Sequence, residues 1–194
     1  MKTIIYSPGD PAGIGPDIFL SLMHEGFFEY IKANVVCMGD KELFHSRSKE
    51  LGYSLEINSF SNINDINEKV GFLEIIKCHD ISSGILNSTN SEYVIENLDF
   101  AIDTCIKKMG FGLVTGPISK ENIIEGGYSF SGHTERIMEK TNSDNVLMLL
   151  ASERLKVALA TTHMPISKVP ESITKELIFN KVKILNQELK EKFN

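Results

Sequence analysis

Cysteine is scarce in this 194-residue chain, and what there is comes in an odd number: Cys37, Cys78 and Cys105. An odd count without metal-type spacing excludes a disulfide framework and a zinc-finger-like site. Each of the three sits in or beside an apolar run, so each reads as a small buried hydrophobe. Clusters of Lys or Arg are also missing. With 20 basic against 26 acidic residues the net charge is −6, whereas a dedicated nucleic-acid binder carries a basic face. No apolar run approaches the roughly 20 residues that a membrane-spanning helix needs. The opening Met1 to Gly9 is broken by Pro8 too early for a signal peptide. These absences predict reduced thiols, a cytoplasmic location, no nucleic acid and no membrane. What is present is ordinary for a globular protein: 42% hydrophobic and 24% charged residues. The length suits one good-sized domain, or one domain and part of another. At this size roughly 70% of the unfolded chain's surface can be buried.

The chain alternates strand-like and helix-like segments. Lys2 to Tyr6 reads as a buried strand. Pro16 stands where a helix starts, and Ile18, Phe19 and Leu22 give that helix an apolar face. Asn34 to Met38 is a second strand, followed by a helix capped by Asp40 and stopped near Gly52. Ser54 to Asn58 and Phe72 to Ile76 read as short strands, with the polar stretch Ser59 to Lys69 between them as a surface loop. The strongest helical periodicity runs from Glu92 to Met109, with Ser91 as its cap, Lys107 and Lys108 at its negative end and Gly110 as its stop. Phe111 to Thr115 is a strand, Glu121 to Glu125 a short helix, and Gly126-Gly127 a turn. The apolar runs Asn145 to Ala151 and Leu155 to Thr161, joined by three polar residues, predict an antiparallel hairpin. A long amphipathic helix, Thr174 to Phe193, turns Leu177, Ile178, Val182, Leu185 and Leu189 inward. This pattern predicts an α/β fold with a mixed, mostly parallel sheet flanked by helices. The ending on a helix at Asn194, where a further strand is expected, predicts either a capping helix or a missing C-terminal part.

Four segments carry residues suited to chemistry. Pro8-Gly9-Asp10-Pro11-Ala12-Gly13-Ile14-Gly15-Pro16-Asp17 joins a strand to a helix, where α/β folds bind ligands. It ends in neither Gly-Lys-Ser/Thr nor a dinucleotide glycine spacing. A tight connection and a binding loop therefore both stay open. Thr115-Gly116-Pro117-Ile118-Ser119-Lys120 brings a lysine to another strand end, able to meet a phosphate or carboxylate or simply to be solvated. Gly132-His133-Thr134-Glu135 places an imidazole, a hydroxyl and open backbone N–H groups at a helix start, a combination that suits an anionic ligand. An ordinary Thr134 cap with a surface His133 is the competing view. Thr161-Thr162-His163-Met164-Pro165 puts His163 just past an apolar strand. A metal site needs three or more ligands, and residue spacing alone provides no second one. No Gly-x-Ser-x-Gly elbow supports a Ser-His-Asp triad.

In this order and at these separations the four segments resemble the 4-hydroxythreonine-4-phosphate dehydrogenase family of pyridoxal phosphate (vitamin B6) biosynthesis. The resemblance rests on Ser7 to Pro16, Val114-Thr115-Gly116-Pro117 with Lys120, Gly132 to Glu135, and Ala158 to Pro165, and spans essentially the whole chain. It implies an isocitrate/isopropylmalate-dehydrogenase-like fold and a homodimer with the active site at the subunit interface. It also implies that residues 1–194 are the N-terminal portion of a two-domain dehydrogenase, on the substrate and metal side of the cleft. The implied reaction is NAD- or NADP-dependent oxidation of 4-phosphooxy-L-threonine, followed by loss of CO₂ to give 3-amino-2-oxopropyl phosphate. A divalent metal of Zn, Mg or Co type, held by three histidines, would polarise the reacting oxygen. The nicotinamide would carry the hydride.

By the same resemblance His133 and Thr134 are the substrate-binding pair and His163 is the first metal ligand. Lys120 lies close to the active site, with a role in binding or proton transfer. The other two metal histidines, one in an Asn-Pro-His-Ala-Gly-type motif, have no counterpart in the chain. It is therefore expected to be catalytically poor or inactive by itself. Two other readings accompany this one: a paralogue acting on a four-carbon acid-sugar phosphate such as threonate or erythronate 4-phosphate, and a non-catalytic module that keeps a phospho-ligand cleft.

Overall fold

A computed structural model of the chain describes residues 2–193. It divides into two compact units, one ending at Asn142 and the other beginning at Ser143. In the first, β1 (Lys2–Ser7), β2 (Ala33–Met38), β3 (Ser59–Phe60), β4 (Val70–Leu73) and β5 (Gly112–Thr115) form one sheet, parallel throughout, in the order β3-β4-β2-β1-β5. The pleat sends alternate residues to opposite faces. Tyr6, Val35, Cys37 and Phe72 join a cluster with Phe19 of α1 (Gly15–His24) and Phe44 of α2 (Lys41–Glu50). There the Phe19 ring stacks on Tyr6 at 5.0 Å and meets Phe72 edge-on at 5.6 Å. Ile5, Val36, Met38 and Leu73 form a second cluster with Ala101 of α3 (Ser91–Ile106). Two short helices complete the unit, α4 (Lys120–Glu125) and α5 (His133–Thr141).

The expected strands at Lys2 to Tyr6 and Asn34 to Met38 are present, as is the Asp40 cap, whose Oδ1 accepts from the Glu42 N–H at 2.8 Å. Elsewhere the structure corrects the sequence reading. Ser54 to Asn58 forms no strand; β3 lies instead in the stretch expected to be a loop, and β4 begins at Val70 rather than Phe72. Pairing decides this. Val35 N–H donates to the Lys69 carbonyl at 2.9 Å, which sets β4 against β2 two residues earlier than local hydropathy suggests. The polar loop also conceals two anchors, Ile63 and Ile66, which pack against the second cluster.

Ser91 is not the cap of α3. It is the first helical residue, and its hydroxyl donates to the Asn122 carbonyl at 3.0 Å. The helix ends at Ile106 rather than running to Met109, and Gly110 does not stop it. Lys108 does so, at φ +59°, with its N–H donating to the Cys105 carbonyl and the Met109 N–H to the Thr104 carbonyl. This is the pattern of a Schellman end, with lysine where glycine is usual.

The second unit contains β6 (Leu149–Ala151) and β7 (Lys156–Ala158), the expected hairpin. It stands as its own two-stranded antiparallel sheet and adds no antiparallel strand to the five-stranded one. A short α6 (Val169–Ser172) precedes α7 (Lys175–Lys192), whose start is capped by Thr174 accepting from Leu177 N–H. Of the residues expected to face inward, Leu177, Leu185 and Leu189 are half-buried, whereas Ile178 and Val182 are exposed. Among the described residues no helix is long and apolar enough to cross a membrane.

A side chain in the left-handed region costs about 1–2 kcal/mol, part of which glycine returns as unfolded-chain entropy. Lys108→Gly is therefore expected to stabilise the protein by about 1 kcal/mol, which urea denaturation of the two proteins would measure.

Candidate functional site

After β1 the chain moves to one side of the sheet, and it returns on the other side as β5. The carboxyl ends of these neighbours, Ser7 and Thr115, are Cα partners. Their following loops leave from a topological switch point, the place where open α/β sheets bind ligands. The two loops are locked to each other through backbone. Gly116 N–H donates to the Ser7 carbonyl at 2.7 Å and Asp10 N–H to the Pro117 carbonyl at 3.1 Å. A Cβ on Gly116 would lie 2.1 Å from the Pro8 oxygen, and one on Gly15 only 1.8 Å from it. The glycines thus serve the close approach of chain to chain. The structure shows a tight connection here, with the Pro8 oxygen against the faces of Gly15 and Gly116.

Buried side chains hold the loop from beneath. Tyr6 donates its hydroxyl to the Gly15 carbonyl at 2.9 Å. Arg47, only 5% exposed, bonds Asp17 Oδ1 at 2.9 Å and the Pro11 carbonyl at 3.1 Å. Asp10 accepts from Ala12 N–H at 3.0 Å and, through its other oxygen, from Asn122 Nδ2 at 3.3 Å. Burial pushes the Asp10 carboxyl pKa up, and these two bonds pull it back. Spacing alone does not point to Arg47 or Asn122. For Asp10 a local signal existed, since an Asp accepting from the N–H two residues on is an Asx turn.

Polar side chains gather around Gly132. It stands at the N-terminus of α5 without a side-chain cap. A Cβ built there would meet Glu135 Oε2 at 2.6 Å and Lys120 Nζ at 3.4 Å. The ammonium at the start of α4 therefore reaches the N-terminal turn of α5. His133 opens that turn with its ring edge-on to Phe130 at 5.7 Å, and Thr134 is half-buried beside it. The His133 Nε2 is buried and finds no hydrogen-bond partner among the described residues. Burial, and then the Lys120 charge, hold the His133 pKa below its usual value, which favours the neutral ring. A cation, a helix N-terminus and an orphaned imidazole nitrogen thus lie close together, with the Glu135 carboxylate beside them. Helix α5 is secured from behind by Arg136, which grips Asp99 of α3 with two bonds of 2.5 and 2.7 Å, and by Lys140 near Asp99 and Asp103.

The structure brings Lys120, His133 and Thr134 together within the first unit. His163 belongs to the second unit, where it is exposed at φ +55° shortly after β7. Among the described residues no group of three His, Cys, Asp or Glu is placed to hold a metal. A single imidazole does not fit a catalytic divalent site, which takes three protein ligands. Burial raises the pKa of all three cysteines, with Cys78 pushed up to about 12 by burial and by Asp40, which disfavours their thiolates.

A family model described as pyridoxal phosphate biosynthetic protein PdxA matches residues 31–194. The 4-hydroxythreonine-4-phosphate dehydrogenase of Serratia proteamaculans is 35% identical over 194 residues, and that of Vibrio cholerae 37% over 196. These alignments cover 98% and 99% of this chain but 58% of each relative, so the chain spans somewhat over half their length. The fold matches crystal structures of 4-hydroxythreonine-4-phosphate dehydrogenases from Klebsiella pneumoniae and Burkholderia phymatum. Their TM-scores are 0.86 and 0.84 at 21% and 22% identity, over 60% and 58% of those chains.

A histidine whose pKa is lowered on folding takes up fewer protons in the folded than in the unfolded chain. Its contribution to stability is whole above the unfolded value of 6.5 and is lost as pH falls through the folded one. Between pH 7 and 5 the wild-type protein is thus expected to lose more stability than His133→Gln. Denaturant melts at matched pH values would show this, and identical slopes would contradict the desolvated, Lys120-flanked imidazole.

Proposed function

Because the chain belongs to the PdxA family of pyridoxal phosphate biosynthetic proteins, we propose that it supplies the anion-binding wall of a 4-hydroxythreonine-4-phosphate dehydrogenase active site. The observation that carries this reading is the convergence of Lys120, the open N-terminus of α5 and the unpartnered His133 Nε2 around Gly132. An acidic substrate bearing hydroxyl groups completes all three. Its phosphate or carboxylate takes the Lys120 ammonium and the backbone N–H groups of the first turn, with Thr134 as a further donor. The neutral His133 ring serves a hydroxyl, which it can meet as donor or acceptor.

In this reading residues 1–194 are the substrate side of a two-domain, cytoplasmic, homodimeric dehydrogenase. The reaction removes a hydride from the secondary alcohol of 4-phosphooxy-L-threonine and a proton from its hydroxyl. The β-keto acid so formed loses CO₂ to give 3-amino-2-oxopropyl phosphate. When bound, NAD or NADP would supply the hydride acceptor and a divalent metal would supply polarisation of the reacting oxygen. His163 would offer such a metal one ligand, and it has no companion ligands among the described residues.

The test is a titration of the purified chain with inorganic phosphate and with 4-phosphooxy-L-threonine, followed by imidazole NMR. Both are expected to shift the His133 resonances. Lys120→Gln is expected to weaken binding about 10- to 100-fold, the effect of losing a charged hydrogen bond worth about 1.5–3 kcal/mol. A His133 signal that responds to neither ligand at millimolar concentration would rule the reading out. Turnover by this chain, with metal and NAD(P) supplied, would exclude the non-catalytic phospho-ligand module.

A further inference from the structure

Helix α4 has six residues, too few to hold itself together in water. Lys120, Glu121, Ile124 and Glu125 are exposed, and only Asn122 and Ile123 are buried. Ile123 packs into the main core but fixes neither the rotation nor the slide of so short a helix. Asn122 is bonded through its backbone N–H, its carbonyl and its side-chain amide nitrogen. Its N–H meets Ser119 Oγ at 3.3 Å, its carbonyl accepts from Ser91 at 3.0 Å and from Gly126 N–H at 3.0 Å, and its side-chain amide donates to Asp10 Oδ2 at 3.3 Å. The last bond joins residues 112 positions apart, and both side chains are about 95% buried. It ties α4 to the loop after β1, and Asp10 is itself fixed there through Ala12 N–H and the Pro117 carbonyl. Lys120 stands two residues before Asn122, on the turn this bond anchors.

We infer that Asp10 and Asn122 form a positioning pair that sets the Lys120 ammonium over the N-terminus of α5. The loop that carries the glycines thus contributes to the anion site at a distance, without touching the ligand. The inference rests on reading Lys120 and His133 as one site, and it adds the device that brings them together. A carboxylate suits the task because it accepts from Ala12 N–H on one oxygen while the other holds Asn122, and burial keeps water from competing for either.

The test uses the His133 imidazole of the full chain, titrated by NMR without ligand and alongside a thermal melt. A failure here is thereby separate from a failed phosphate titration, which bears on the proposed function. Lys120→Gln is expected to raise the His133 pKa, because a neighbouring positive charge is removed. Asn122→Leu keeps the volume and net charge but cuts the bond to Asp10. It is expected to shift the pKa upward in the same way by letting Lys120 move off. Asn122→Ala serves the same purpose if the leucine variant does not fold. The exchange Asp10→Asn with Asn122→Asp rebuilds the bond with its polarity reversed and is expected to return the pKa toward the wild-type value. A folded Asn122→Leu or Asn122→Ala protein whose His133 titrates as wild type, while Lys120→Gln shifts it, would overturn the inference. So would a Lys120→Gln protein in which His133 does not move.

Discussion

Everything at the switch point depends on one contact between backbones. The loops leaving β1 and β5 press together so closely that Pro8 occupies the space where side chains of Gly15 and Gly116 would be. Dispersion and two backbone hydrogen bonds act there without intervening side chains. The contact lets α1 begin immediately behind β1 and brings the start of α4 close to the end of β1. It also brings Asp10 within bonding distance of Asn122. A larger residue at either glycine would push the loops apart, and the polar groups that converge near Gly132 would separate with them.

The alternation of apolar strands and amphipathic helices was legible in the sequence, because burial in a parallel sheet leaves unbroken runs such as Ile4-Ile5-Tyr6 and Val35-Val36-Cys37. The Asp40 cap was legible for the same local reason. The register of β3 and β4 was not: it is set by pairing with β2, and Ile63 and Ile66 are hidden in a polar stretch. The end of α3 was misread because glycine is the usual left-handed residue, and here a lysine takes that conformation. In the site, His133 and Lys120 could be named from motifs. Their proximity could not, because it is made by Gly132 and by two short helices. Asn122 and Arg47 act across long sequence distances, leave no periodic trace and emerge only from the fold.

The chemistry of the site follows from an imbalance. The protein gathers donors near Gly132 and favours the neutral His133 ring, which neither repels Lys120 nor carries a buried charge. An anionic ligand of the kind proposed would bring acceptors to these donors.

The two helices that flank Gly132 are attached by different physics. Helix α4 is fastened by buried hydrogen bonds and by Ile123 in the core. Helix α5 buries no residue completely; besides Ile137, half-buried against the same core, it leans on Arg136 and Lys140 against Asp99 and Asp103. Dissolved ions screen the second attachment far more than the first, because its charges remain partly in water. Rising ionic strength should therefore slacken one side of the site while the sheet stays intact. Salt would weaken an anionic ligand twice over, by shielding its charge and by loosening the helix that receives it.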